Sequence, residues 1–124
     1  MRLGKERKEL RMIFDQAGTP TYARDLANTI LKIVLLTLDN ATNFKSGIYH
    51  YSNEGVCSWY DFAVEILKFS NIDSKVFPIE TKDYPLPAKR PHYSVFNKNK
   101  IKSIYNIEIP FWRDSLKVCI DKIL

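Results

Sequence analysis

The segment Ser58-Trp59-Tyr60-Asp61-Phe62-Ala63-Val64-Glu65-Ile66-Leu67 constrains the fold of this chain more than any other. Ser58 and Asp61 stand at the two ends of a capping box, with Asp in place of the commoner Glu. Each side chain can therefore bond the other's backbone N–H at a helix start. Trp59, Phe62, Ala63, Ile66 and Leu67 recur at three- and four-residue steps, which places them on one helical face. Such a helix is stable only with that face against a core. Asn71 is the expected stop.

The remaining elements follow from similar signals. Residues 1–11 hold five basic and two acidic side chains and read as a charged, flexible lead-in. Residues 12–15, Met-Ile-Phe-Asp, read as a short buried strand, and Gln16-Ala17-Gly18 as a turn. Thr19 is expected to cap a helix that has Pro20 at its first position, where the missing N–H costs nothing. That helix runs to about Leu38. Leu26, Ile30, Ile33 and Thr37 line one face, and Ala23, Ala27, Val34 and Leu38 widen it, so burial on more than one side is expected.

Gly47 to Ser52 reads as a strand, followed by a turn at Asn53-Glu54-Gly55. Lys75 to Glu80 reads as an edge or irregular strand, because Pro78 cannot donate to a ladder. Residues 83–91 contain three of the six prolines and form a stiff extended segment. A short helix is expected over Lys100–Tyr105. Pro110 opens a last helix with Trp112, Leu116, Cys119, Ile120 and Ile123 inward. With 124 residues, the chain is one domain. Its order of strands and helices predicts an α/β or α+β fold in which helices pack on a few short strands around one core.

Composition excludes several classes of function. The most apolar run, residues 30–38, has nine residues and includes Lys32, whereas a membrane span needs about 20. No targeting segment is expected, since no apolar stretch follows the N-terminal charges. Cys57 and Cys119 form no C-x-x-C and have no His at ligand spacing, so a bound zinc is not expected; two thiols point to the reducing cytoplasm. The net charge of +5 is compatible with a nucleic-acid binder, but the basic residues do not line one helix face. The four glycines, at 4, 18, 47 and 55, are too far apart for a dinucleotide-binding turn or a Walker loop. No Gly-x-Ser-x-Gly elbow occurs. His50 and His92 read as structural or surface residues.

Three groups of residues remain as site candidates. Lys89-Arg90 lies in the proline-bounded segment. A preorganised backbone lowers the entropy cost of aiming a guanidinium at a phosphate, although a surface basic pair would look the same. His92, Tyr93 and Ser94 follow with further donors. Gln16, Thr19 and Thr21 crowd a helix N-terminus, as an anion site or as plain capping. Tyr49, Tyr51, Trp59 and Tyr60 could stack on a ring, with Trp59 the better fit to the core and Tyr60 freer to touch a ligand.

Taken in order, several short stretches resemble one family. These are Asp15-Gln16-Ala17-Gly18-Thr19-Pro20-Thr21, Asp25-Leu26-Ala27, Gly47-Ile48-Tyr49-His50, Ser58-Trp59-Tyr60-Asp61-Phe62-Ala63, Pro87-Ala88-Lys89-Arg90-Pro91-His92-Tyr93-Ser94 and Pro110-Phe111-Trp112. The series is similar to the C-terminal portion of the dTDP-4-dehydrorhamnose reductases, members of the extended short-chain dehydrogenase/reductases. The resemblance covers about residues 10–120.

It implies reduction of the C4 ketone of a dTDP-4-dehydro sugar, giving dTDP-L-rhamnose, with NADPH (or NADH) held by an N-terminal Rossmann portion that also carries a Tyr-x-x-x-Lys pair. None of the seven tyrosines here has Lys four residues on, so the resemblance covers the substrate-binding half, with no catalytic residue of its own and no cofactor expected to bind it alone. The resemblance further implies that Arg90 contacts the diphosphate of the dTDP-sugar, that Lys89 assists by charge, and that Gln16, Thr19, Thr21 and Tyr60 lie near the substrate. The expected partners are the dTDP-sugar and the Rossmann portion, with no nucleic acid and no membrane. A homodimer is compatible with the family. The metal-linked dimers of some members are not carried over, because no carboxylates cluster in the chain. A non-catalytic sugar-nucleotide-binding or regulatory subunit is the alternative.

Overall fold

The computed structural model describes all 124 residues. In chain order the elements are α1 (Arg2–Glu6), β1 (Glu9–Ile13), β2 (Ala17–Gly18), α2 (Ala23–Asp39), β3 (Cys57–Ser58), α3 (Trp59–Phe69), β4 (Lys75–Ile79), β5 (Tyr93–Ser94), α4 (Asn99–Tyr105) and α5 (Trp112–Asp121). Helices thus pack on a few short strands, the architecture expected from the pattern. β1 and β4 pair in parallel, with Leu10 opposite Val76 and Ile13 opposite Ile79. β2 is the middle strand of a second sheet, antiparallel to β3 and parallel to β5.

Helix α3 begins as the sequence predicts. Ser58 Oγ accepts from Asp61 N–H at 3.1 Å, and Asp61 Oδ2 accepts from Ser58 N–H at 2.9 Å. Its apolar face lies against β1, β4 and α5, and Leu10, Ala63, Leu67, Ile79, Trp112 and Ile120 are buried. Arg113 Nε donates to Glu65 Oε2 at 2.7 Å and ties α5 to α3. After α3, Asn71 takes the left-handed conformation, φ 50°, that a short polar side chain tolerates at a helix stop. A second cluster joins Ile101, Tyr105 and Ile107 to Ile33, Leu36, Tyr49, Tyr51 and Ile109.

The structure departs from the sequence pattern in six places. The charged lead-in is built into the fold: α1 and most of β1 occupy it, Gly4 and Leu10 are buried, and a Cβ at Gly4 would meet the Leu67 side chain at 2.5 Å. Helix α2 starts at Ala23, with Tyr22 as its cap residue, so Thr19 and Pro20 lie outside it. The acceptor there comes from elsewhere in the chain, since Tyr22 N–H donates to Asn53 Oδ1 at 2.8 Å.

Burial of α2 is also narrower than its composition suggests. Only Thr29 is buried, and Leu26, Ile33, Leu36 and Thr37 are half-buried. Ala23, Ala27, Ile30, Leu31, Val34, Leu35 and Leu38 face outward. Residues 47–52 have no ladder partner and form no strand. They are held instead by side chains: the Tyr49 ring packs 5.4 Å from Tyr105, with Lys100 Nζ above it. Beyond them, Glu54 makes one isolated bridge to Phe111. On α5, Ile123 lies past the helix end and is exposed, while Ser115 is buried. β4 ends at Ile79, one residue short of the expected span, in a two-stranded sheet where both strands are edges and Pro78 is tolerated.

Candidate functional site

The turn after residue 52 is built around one buried amide. Asn53 has no exposed surface. Its Nδ2 donates to Asp25 Oδ2 at 2.7 Å, Ser115 Oγ at 2.9 Å and the Pro110 carbonyl at 3.2 Å. Buried Lys98 donates to the Asn53 carbonyl at 3.0 Å and pairs with Glu54 Oε2 at 3.1 Å; Lys102 pairs with Glu54 Oε1 at 2.6 Å. The two ammonium groups, Lys102 first, hold the Glu54 carboxyl below its ordinary range. Gly55 follows with φ +87°, and any Cβ there would run into the Phe111 and Trp112 rings. The Gly55 carbonyl accepts from Thr19 Oγ1 at 3.1 Å. This network fixes residues 19–25 against the start of α3.

Between those two walls lies a cavity of about 480 Å³, within the range of roughly 300–1,000 Å³ usual for small-molecule sites. Residues 16–21 line one side, Ser52, Cys57, Ser58, Trp59 and Phe62 another, and Arg90, Pro91, Ser94 and Phe96 the rim. Arg90 is the one charged side chain on the wall, with no carboxylate beside it. The structure's ion pairs do not include it. A cation with no counter-charge, in a cavity walled by hydroxyls and an aromatic ring, suits an anionic ligand with a flat or apolar portion.

Four of the six residues singled out in the sequence, Gln16, Thr19, Thr21 and Arg90, meet on this cavity. Lys89 is exposed on the same segment as Arg90 but off the wall, and half-buried Tyr60 is also off the wall. Of the two aromatic residues at the start of α3, it is Trp59 rather than Tyr60 that reaches the cavity. Trp59, at the first turn of α3, is 52% exposed and lines the cavity, because the core lies against Ala63 and Leu67 further along the helix. Of the donors after Arg90, Ser94 lines the cavity and His92 and Tyr93 do not. Ser52 was not legible in the sequence. It is buried, its Oγ has no partner within the protein, and it lines the cavity. Cys57 lines it too, but burial, with Asp61 adding, pushes its thiol up to about 12, so it is a neutral thiol at neutral pH and a poor nucleophile.

The chain has no glycine-rich strand-to-helix turn of the dinucleotide-binding kind. The one glycine on the cavity, Gly18, pairs with Ser94 in a strand rather than opening a helix after a strand, and the first turn of α2 has no glycine. No three His, Cys, Asp or Glu side chains come close enough together to hold a metal ion. No helix is long and apolar enough to cross a membrane.

The chain belongs to the RmlD substrate binding domain family, whose model matches residues 1–124. It is 34% identical to a dTDP-4-dehydrorhamnose reductase of Burkholderia thailandensis, over all of this chain and 45% of that protein. Two solved dTDP-4-dehydrorhamnose reductases share the fold. The enzyme of Clostridium acetobutylicum is 42% identical with TM-score 0.84, covering 98% of this chain and 41% of that one. The enzyme of Bacillus anthracis, solved in complex with NADP, is 36% identical with TM-score 0.86, covering 99% of this chain and 41% of that one. The chain thus spans less than half the length of these relatives.

Proposed function

We propose that this chain is, as one unit, the sugar-nucleotide-binding part of an NADPH-dependent dTDP-4-dehydrorhamnose reductase working in the cytoplasm, and that Arg90 binds the diphosphate of the dTDP-sugar. The observation that carries the reading is the convergence of Gln16, Thr19, Thr21 and Arg90, separated by some seventy residues of sequence, on one cavity whose only charge is a cation. Thr21 and Ser94 add hydroxyls, Trp59 offers a ring face for the base or sugar, and Lys89 strengthens the positive potential at the rim. The chain binds and orients the substrate. The hydride and the proton come from the part of the enzyme that carries the cofactor, so the chain alone reduces nothing.

That part also explains the outward face of α2. Ile30, Leu31, Val34, Leu35 and Leu38 form a continuous apolar stripe, larger than an isolated soluble domain usually leaves bare. More than half of each relative lies outside the match, and we assign the stripe to contact with that remainder rather than to a second copy of this chain.

The test is a titration of the chain with dTDP followed by thermal melting. Saturable stabilisation is expected. Arg90→Ala should weaken affinity roughly 10- to 100-fold, from the worth of about 1.5–3 kcal/mol of hydrogen bonds to a charged group. Unchanged affinity in that variant removes the assignment of Arg90. NADPH oxidation above background by the chain with its substrate removes the claim that it is only the binding half. Tight dTDP binding by a chain whose source enzyme lacks reductase activity would favour a non-catalytic binding subunit.

A further inference from the structure

Arg90 sits on a strap, residues 81–92, that leaves the body of the protein after β4 and returns at β5. Tyr84 N–H donates back to the Thr81 carbonyl at 3.2 Å; beyond it, residues 85–91 are exposed throughout and make no backbone hydrogen bond, until the His92 carbonyl accepts from Ala17 N–H at 2.8 Å. Such a segment does not hold a guanidinium in place by its own contacts. What holds it is at its two ends, and both ends meet the same residue. At the first, Asp15 Oδ1 accepts from Thr81 N–H at 2.9 Å and from Thr81 Oγ1 at 2.7 Å. At the second, His92 Nδ1 lies 2.9 Å from the Asp15 carbonyl. A carbonyl can only accept, so Nδ1 carries the proton, and Asp15 Oδ2 stands 3.7 Å from it. Gln16, on the cavity wall, reinforces the first end by donating from Nε2 to Thr81 Oγ1 at 3.0 Å.

We propose that Asp15 is the positioning residue of this site: its carboxylate clamps the first end of the 81–92 strap, beside the second end that its backbone carbonyl holds, and so keeps Arg90 over the cavity. The proposal rests on the reading of Arg90 as the diphosphate ligand. Asp15 itself is not on the cavity wall. Closing a strap at its base shortens the flexible loop whose ordering binding must otherwise supply, so a phosphate meets a guanidinium already in place. The low-lying carboxyl of Asp15, held there chiefly by the Thr81 hydroxyl, agrees with an anion that stays charged as the acceptor of this clamp.

Two measurements on the chain test it. The first is hydrogen exchange at the bonded amides of the strap's ends, Thr81, Asp83, Tyr84 and Ala17, together with the rate of tryptic cleavage after Lys89, with exchange in α3 as the internal reference. Asp15→Ala should raise strap exchange and cleavage about tenfold while α3 is unchanged, as expected of a local opening. Asp15→Asn, which keeps an oxygen to accept from Thr81, should restore most of the protection. Equal strap protection in Asp15→Ala and the wild type overturns the clamp, and so does loss of protection in the strap and α3 alike, which would mark a general loss of stability.

The second measurement is dTDP affinity in a double-mutant cycle. Asp15→Ala should weaken binding about tenfold on its own and add little to Arg90→Ala, because the two act through one contact. Full additivity overturns the coupling between clamp and guanidinium. If Arg90→Ala alone has no effect on affinity, the diphosphate reading fails, and the exchange experiment still decides whether Asp15 holds the strap.

Discussion

Asn53 and Asp25 meet side chain to side chain at 2.7 Å, beneath the cavity and out of reach of solvent on the Asn53 side. Twenty-eight residues apart, they join the first turn of α2 to the turn that precedes β3. Together with the short β2–β3 pairing, they fix two stretches far apart in sequence as the walls of one site.

Removing Asn53 should therefore cost more than an ordinary polar substitution. Asn53→Ala leaves Tyr22 N–H, Ser115 Oγ and the Asp25 carboxylate short of a partner in a buried place. We expect a loss of about 2–4 kcal/mol, since each stranded buried group costs about 1–3 kcal/mol and relaxation recovers part of it. Urea unfolding checks this, and a loss below about 1 kcal/mol would show that water or a shifted side chain replaces the amide.

The neighbouring Ser52 should behave in the opposite way. Its Oγ is buried without a partner, so Ser52→Ala removes a desolvated hydroxyl and loses no bond within the protein. Stability is expected to stay the same or to rise by up to about 1 kcal/mol, while affinity for the dTDP-sugar falls. A marked drop in the urea midpoint would mean that Ser52 is engaged within the fold and is no open donor for a ligand.

Glu54 makes stability depend on acid. Its folded-state carboxyl lies below the ordinary value of 4.5, held there by Lys102 and Lys98. The stabilisation is thus fully present above about pH 4.5 and is lost as the pH falls through the lower folded value. Glu54→Gln should lower stability at pH 7 and flatten the decline on acidification below that point. Unfolding curves at a series of pH values from 7 to about 3 provide the comparison, and parallel declines in wild type and variant would assign the acid sensitivity to other groups, Asp15 first among them.

If the exposed stripe of α2 meets the rest of a reductase as proposed, a change there should act differently in the chain and in the full-length protein. Leu35→Arg, on the outward face, should change the stability of the 124-residue chain by no more than about 0.5 kcal/mol, as for other surface positions. The same change in the full-length reductase should lower its melting temperature by several degrees, because a charge then enters an apolar contact. Equal effects in the two would place the partner of α2 elsewhere, and a loss of self-association by the chain alone would favour a second copy over the rest of the enzyme.

Local chemistry decided much of this protein within its own sequence. The Ser58–Asp61 capping box, the apolar steps of α3, the short helix before Tyr105, the Asn71 stop and the edge character imposed by Pro78 each depend on residues within a few positions of one another, and each is found in the structure. The ordered stretches that carry the family resemblance were equally legible, and with them Gln16, Thr19, Thr21 and Arg90.

Only the tertiary structure decided which faces those elements turn inward, because burial depends on what arrives from far along the chain. Thr19 looks like a cap in isolation, but Asn53 supplies the acceptor at the start of α2 and frees Thr19 to hold Gly55. Residues 47–52 read as a strand, yet a strand exists only where it pairs with another, and these residues settle against side chains of α4 instead of a sheet edge. α2 carries apolar side chains on more than one side, and no periodicity says which of them the fold leaves exposed. The bond from Thr81 to Asp15 spans 66 positions, and it has no local signature, since any Thr and any Asp could have met.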